Sequence, residues 1–193
     1  MYEYIKGALI EAAPTYAVVE SGGIGYYINI SVNTYSQISQ AKEVLLFLHL
    51  IVREDAHLLY GFATKEERKM FRQLIAVSGI GANTAGVMLS SMTVNEIVGA
   101  IMTENVNAIK SVKGIGLKTA QRVIIELKDK VGGVEVVDTM PGNNAATIKE
   151  EALAALVMLG FVKTQAAKVL DKIIAGGGIT TVEQLIKLAL KQL

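Results

Sequence analysis

No cysteine or tryptophan occurs in these 193 residues, and there are only two prolines and two histidines. Without cysteine there are no disulfides, no iron–sulfur clusters and no thiolate zinc sites, a composition that suits a reducing compartment. His49 and His57 both fall in strand-like runs, so structural histidines are expected and a metal centre is not. The longest apolar stretch, 44–52, contains His49 and is too short to span a bilayer. The opening Met-Tyr-Glu-Tyr-Ile-Lys lacks a signal-peptide pattern, so a soluble, cytoplasmic protein is expected. At 51% hydrophobic the chain is not generally disordered; its length allows one large domain or two to three small ones.

A repeat is present where these features are absent. Residues 77–85 read Val-Ser-Gly-Ile-Gly-Ala-Asn-Thr-Ala, and residues 112–120 read Val-Lys-Gly-Ile-Gly-Leu-Lys-Thr-Ala. Gly79 and Gly114 lie 35 residues apart, and each copy follows one apolar helical run and opens another. The pattern resembles the helix-hairpin-helix motif of proteins that bind DNA without reading its sequence. Paired glycines let a hairpin turn tightly and bring its backbone close to another surface. The helix that starts at once presents unpaired N–H groups and a positive dipole end, which is a phosphate site. The candidate DNA contacts are therefore Gly79, Gly81, Asn83 and Thr84 in the first copy. In the second they are Lys113, Gly114, Gly116, Lys118, Thr119 and Arg122. Contacts of this kind fix position on the backbone and carry no base information. A nucleotide-binding P-loop needs Gly-Lys-Thr adjacent, and Leu117 interrupts it here, so no nucleotide or other cofactor is expected. One copy alone could merely end one helix and begin the next; two copies with matched Thr-Ala argue against that.

Charge is distributed unevenly. Residues 1–63 hold three basic and six acidic side chains, residues 64–132 ten and six, and residues 133–193 six of each. The basic excess coincides with the repeat, where phosphate binding needs it.

The sequence predicts a multi-domain β-then-α protein. Over residues 1–63, strands are expected at Tyr4–Ala12, Tyr16–Glu20, Gly25–Ser31, Val44–Arg53 and Ala56–Phe62, with Glu54-Asp55 at the tip of the last hairpin. Five short strands suggest a small OB-type barrel, whose acidic surface fits a scaffold role. Residues 64–132 read as helical, with Thr64 capping the first helix and Thr93-Val-Asn-Glu96 forming a capping box; Gly86 and Gly99 weaken their helices locally. Residues 133–146 read as a linker. Residues 147–193 read as three helices, with capping boxes at Thr147/Glu150 and Thr180/Glu183, Thr164 capping the second helix and Gly176-Gly177-Gly178 ending it. So small a core leaves apolar surface for a partner, and Leu156, Leu159 and Phe161 are the candidates, with a plain core role the alternative.

Barrel, paired hairpins, linker and three-helix tail occur in the order found in the RuvA family, which the whole chain resembles. The most specific stretches are Val52-Arg53-Glu54-Asp55-Ala56, Leu58-Leu59-Tyr60-Gly61-Phe62, and Gly114 to Ala120 with Arg122. The resemblance implies the non-catalytic, junction-binding subunit of the bacterial branch-migration helicase complex, acting in recombination, DNA repair and the SOS response. It implies a homotetramer, or an octamer on DNA, that holds a Holliday junction open and square. Glu54 and Asp55 would be an acidic pin at the crossover, the tail would bind the RuvB hexameric ATPase, and RuvC resolvase would join through the junction. Asn83 stands where family members often carry a basic residue, which shifts affinity toward Lys113, Lys118 and Arg122. Two other functions compete. A helix-hairpin-helix glycosylase or nuclease needs a catalytic Asp and an aromatic base pocket. Here Asp129 is the only such Asp, and Phe71 is the only aromatic between 64 and 132. A generic duplex-binding accessory protein would bind linear duplex and four-way junction equally.

Overall fold

The computed structural model describes residues 2–131, 144–176, 181–190 and 192, the side chains of 144–147 and 183 excepted. Five strands, β1 (Tyr4–Ala13), β2 (Tyr16–Ser21), β3 (Ile24–Ile30), β4 (Glu43–Val52) and β5 (His57–Phe62), close into a barrel in the order β1-β2-β3-β5-β4. Every strand of a closed barrel serves two neighbours, and the first does so with different parts of its length. β1 pairs with β4 over Tyr4–Ala8 and with β2 over Ala8–Ala13, with a register shift between Leu9 and Glu11. Gly7 sits at the bend, where a Cβ would lie 2.0 Å from the Glu20 carbonyl oxygen, so no side chain fits. The barrel interior is packed by Ala17, Val19, Ile28 and Leu46, all without exposed surface.

A short helix, α1 (Val32–Ile38), connects β3 to β4; the sequence reading had no element there. Ser31 caps it by accepting the Thr34 amide at 2.9 Å.

The helical part begins with α2 (Lys65–Ile75), whose N-cap Thr64 accepts the Glu67 amide at 3.1 Å. There follow α3 (Ala82–Ser91), α4 (Val94–Met102), α5 (Val106–Lys110) and α6 (Leu117–Val131). The expected capping box opens α4: Thr93 Oγ1 accepts the Glu96 amide at 3.3 Å, and Glu96 accepts the Thr93 amide at 2.7 Å. Phe71, Leu74, Met88, Leu89, Ile101 and Leu127 are fully buried in this core.

Barrel and tandem helices form one compact unit, Met1–Glu135. β5 belongs to both cores, because Phe71 of α2 stacks against Tyr60 and Phe62 at ring separations of 5.0 and 4.9 Å. Polar bonds reinforce the joint. Glu67 is buried and takes hydrogen bonds from the hydroxyls of Ser31 and of Thr34, the latter at 2.7 Å. Arg68 pairs with Glu3 and donates to its carbonyl at 2.7 Å. Arg72 Nε donates to His49 Nδ1 at 3.3 Å. Burial first, then the two arginines, hold the His49 pKa below its ordinary value, so this histidine is a neutral structural group. His57 is exposed at the start of β5, contrary to the structural role expected of it.

A second unit, Val136–Leu193, contains α7 (Asn144–Met158), α8 (Lys163–Ala175) and α9 (Val182–Ala189). Its helix starts differ from those expected. α7 begins before Thr147, so Thr147 lies inside the helix; its side chain is outside the described residues. The N-cap of α8 is Val162, which puts Thr164 in the first turn, and α9 is capped by Thr181, whose hydroxyl accepts the Gln184 amide at 3.3 Å. Thr180 and the side chain of Glu183 lie outside the described residues, as do Gly177 and Gly178. Gly176 ends α8 as expected. Of the span read as a linker, 133–143 likewise falls outside the described residues, while 144–146 is helical.

Candidate nucleic-acid interface

The two repeat copies fold into two equivalent hairpins. In the first, between α2 and α3, the Val77 amide bonds to the Leu74 carbonyl, Ile80 to Val77 and Ala85 to Gly81, at 3.0 Å each. In the second, between α5 and α6, the bonds fall 35 positions on: Val112 to Ile109 at 3.3 Å, Ile115 to Val112 at 3.1 Å, Ala120 to Gly116 at 2.9 Å. Ile80 and Ile115 are buried and pin each turn to the core.

The glycines of each pair play different parts. Gly79 and Gly114 have φ of 95° and 92°, a region open to glycine and costly for other residues. Gly81 has φ of −85°, which any residue can adopt, and neither Gly81 nor Gly116 has any atom within 4 Å of where a Cβ would stand. Nothing among the described residues requires glycine at 81 or 116, and their bareness leaves room for a group from outside.

Donors lie beside that space. Ala85 and Ala120 are the first amides bonded to Gly81 and Gly116, so the amides of residues 82–84 and 117–119 precede the helical ladders. No side chain caps α3. Lys113 and Lys118 are exposed, and neither forms an ion pair among the described residues. Lys128, further along α6, pairs with Glu104, whose carboxyl it holds below the usual range.

The other candidates have internal attachments that the sequence did not show. Asn83 accepts a hydrogen bond from the Tyr60 hydroxyl at 3.2 Å. Thr119 faces the first hairpin: a Cβ on Gly79 would stand 3.6 Å from its Oγ1. Thr84 faces the second, 3.9 Å from the corresponding point on Gly114. Arg122 is exposed and donates to the Ser78 carbonyl of the first hairpin at 3.2 Å, with Glu126 at 4.0 Å.

At the tip between β4 and β5 the Arg53 amide bonds to the Ala56 carbonyl at 2.8 Å, leaving Glu54 and Asp55 exposed in the turn. In the tail, Leu156 has no exposed surface and is core, together with Leu170 and Leu185. Phe161 is half-buried against the same core, and its amide bonds to the Leu156 carbonyl at 3.1 Å. Only Leu159 of the three nominated residues is exposed; the sequence reading passed over its exposed neighbours Val157, Met158 and Val162.

Comparison with known proteins agrees with this anatomy along the whole chain. Residues 1–61 match the RuvA N-terminal domain, 71–129 a SAM-like helix-hairpin-helix tandem, and 147–193 the RuvA C-terminal domain. A protein of Christiangramia forsetii is 53% identical over 193 residues, one of Flavobacterium psychrophilum 49% over 193, and one of Bacteroides fragilis 48% over 201. Each pairing covers all of both chains, and each relative is named Holliday junction branch migration complex subunit RuvA. The chain belongs to the RuvA family.

Proposed function

We propose that this protein binds four-way DNA junctions through their phosphate backbones, as the non-catalytic subunit of a branch-migration complex. The observation that carries this reading is the pair of bare glycines, Gly81 and Gly116, each beside unladdered helix-start amides. An N–H donor approached closely by an anion is what such a surface offers, and it favours every sequence equally. Lys113 and Lys118 add charge at the second hairpin, and Asn83 adds a polar side chain at the first. Four copies around a fourfold axis, or two such rings face to face, would present eight or sixteen hairpins to the four arms. The exposed Glu54-Asp55 tips would then meet at the crossover. The tail would hold the RuvB motor through Leu159, Met158 and Val162, with Leu156 and Phe161 supporting that surface from beneath. RuvC would act on the same open junction. The setting is recombination and repair in the bacterial cytoplasm, including the SOS response.

Binding of a synthetic four-way junction and of a linear duplex with the same arm sequences, measured across a salt series, tests the reading. Affinity for the junction should exceed that for the duplex and fall steeply with salt, and scrambling the arms should change it only a fewfold. Lys118→Ala should flatten the log–log salt slope by about 0.9. Equal affinity for duplex and junction would instead favour a generic duplex binder.

A further inference from the structure

We propose that each hairpin is positioned by the other's motif: Thr119 and Arg122 of the second set the first hairpin, and Thr84 of the first sets the second. The inference rests on the DNA-binding reading above and reassigns three of its residues. Thr84 and Thr119 occupy equivalent places in the repeat, each the third residue of its helix, α3 and α6, and each is half-buried. Each lies against the positive-φ glycine of the opposite hairpin, Thr119 at 3.6 Å and Thr84 at 3.9 Å from where a Cβ would stand. The same approach thus occurs twice, as a pseudo-twofold arrangement requires. A threonine held in this way has its side chain turned toward the neighbouring hairpin, so it acts on DNA through that hairpin.

The arrangement is symmetric in the threonines and asymmetric in the tether. Arg122 Nη1 bonds to the Ser78 carbonyl, one residue before Gly79. The position 35 residues before Arg122 is Val87, which has no donor to give the second hairpin. The first hairpin, which lacks a cationic side chain of its own, is therefore fixed in place by a cation from the second. A fixed spacing between two phosphate grips removes the ordering that binding otherwise requires, which is where its contribution to affinity lies.

Phosphate-ethylation interference on a synthetic junction, with full-length protein, reads this directly. Gly81→Ser and Gly116→Ser first assign which interfering phosphates belong to which hairpin. Arg122→Gln should then weaken the phosphates assigned to the first hairpin, although Arg122 belongs to the second motif. Affinity should fall about three- to tenfold, the range carried by one net hydrogen bond. The salt slope should stay within a few tenths of the wild-type value, while Lys118→Ala lowers it by about 0.9. Thr119→Ala, which removes both atoms facing Gly79 and leaves the charge untouched, should shift the same first-hairpin phosphates, and Thr84→Ala those of the second. Loss at the second hairpin's phosphates in Arg122→Gln, or a slope change of a full contact, makes Arg122 a direct phosphate ligand and overturns the proposal. Absence of any interference in the wild-type protein overturns the DNA reading itself.

Discussion

A single methyl group separates two kinds of glycine in these hairpins. Gly114→Ala forces a side chain into φ of 92° and should lower stability by about 1–2 kcal/mol, seen as a fall in the denaturant midpoint. Gly116→Ser meets no atom among the described residues and places a capping hydroxyl at a helix start, so stability should hold or rise by a few tenths of a kcal/mol. On the proposed reading its junction affinity should nonetheless drop about tenfold or more, because the new side chain would stand where a phosphate would come. Loss of binding without loss of fold separates a ligand-facing position from a structural one. Glu67 is the opposite case, a charged residue spent entirely inside. Burial raises its pKa above the ordinary carboxylate value, against the hydroxyls of Ser31 and Thr34 and the Ala63 amide, which pull it down. Because the folded pKa is the higher one, the stability linked to this group is complete below the ordinary value and declines as pH rises through the folded one. Glu67→Gln should remove that decline, so the gap in melting temperature between wild type and variant should change across the window. Glu67→Ala leaves two buried hydroxyl donors without their acceptor and should cost about 2–4 kcal/mol at acid pH, and less as pH rises through the folded pKa.

Among the elements, the tail offers the sharpest contrast between buried and exposed apolar residues. Leu156→Asp should unfold the three-helix unit, since Leu156 has no exposed surface, and far-ultraviolet circular dichroism of the isolated melting step would report it. Met158, 88% exposed, and Leu159, 62% exposed, should accept Asp with the unit still folded, while stimulation of the motor ATPase is lost. If the ATPase responds normally to the doubly substituted protein, the partner binds elsewhere. Elements written in local signals were legible in advance. The strands, the Thr64 cap and the Thr93–Glu96 box each depend on residues a few positions apart, and so does the recurrence of the glycine hairpin. The tail caps slipped because adjacent threonines compete: nothing local tells Thr180 from Thr181, and Val162 opens α8 before Thr164 can. α1 was missed because seven residues with only Thr34 and Ile38 buried make no helical stripe. The burial of Glu67 was also hidden, since a first-turn glutamate is ordinarily solvated and its hydroxyl partners lie 33 and 36 residues away. The crossed threonines depend on how two repeats face each other, which no one-dimensional pattern records.

At the scale of the whole molecule, opposite charges are kept apart: an acidic barrel carries the Glu54-Asp55 tip, and a basic helical part carries the hairpins. Carboxylates facing a polyanion repel continuous duplex and tolerate a structure that is open at its centre. Changing both Glu54 and Asp55 to Asn should therefore preserve or raise total DNA affinity while the preference for junction over duplex shrinks, as competition binding would show. Unchanged preference and unchanged motor-driven migration would reduce the tip to an ordinary solvated turn.

Strand β5 joins these two regions physically. It begins at His57, two residues after the acidic tip, and Tyr60 within it reaches out of the barrel to Asn83, beside the first hairpin. Extended chain advances about 3.4 Å per residue, so the five steps from Asp55 to Tyr60 span at most about 17 Å. Measured along B-form DNA, where a turn of about 34 Å holds about ten base pairs, that length is about five base pairs. If the tips meet at the crossover as proposed, the first phosphates held on each arm would lie about half a helical turn away. Base pairs nearer the centre would then be ungripped, free to part and re-pair as the branch point moves.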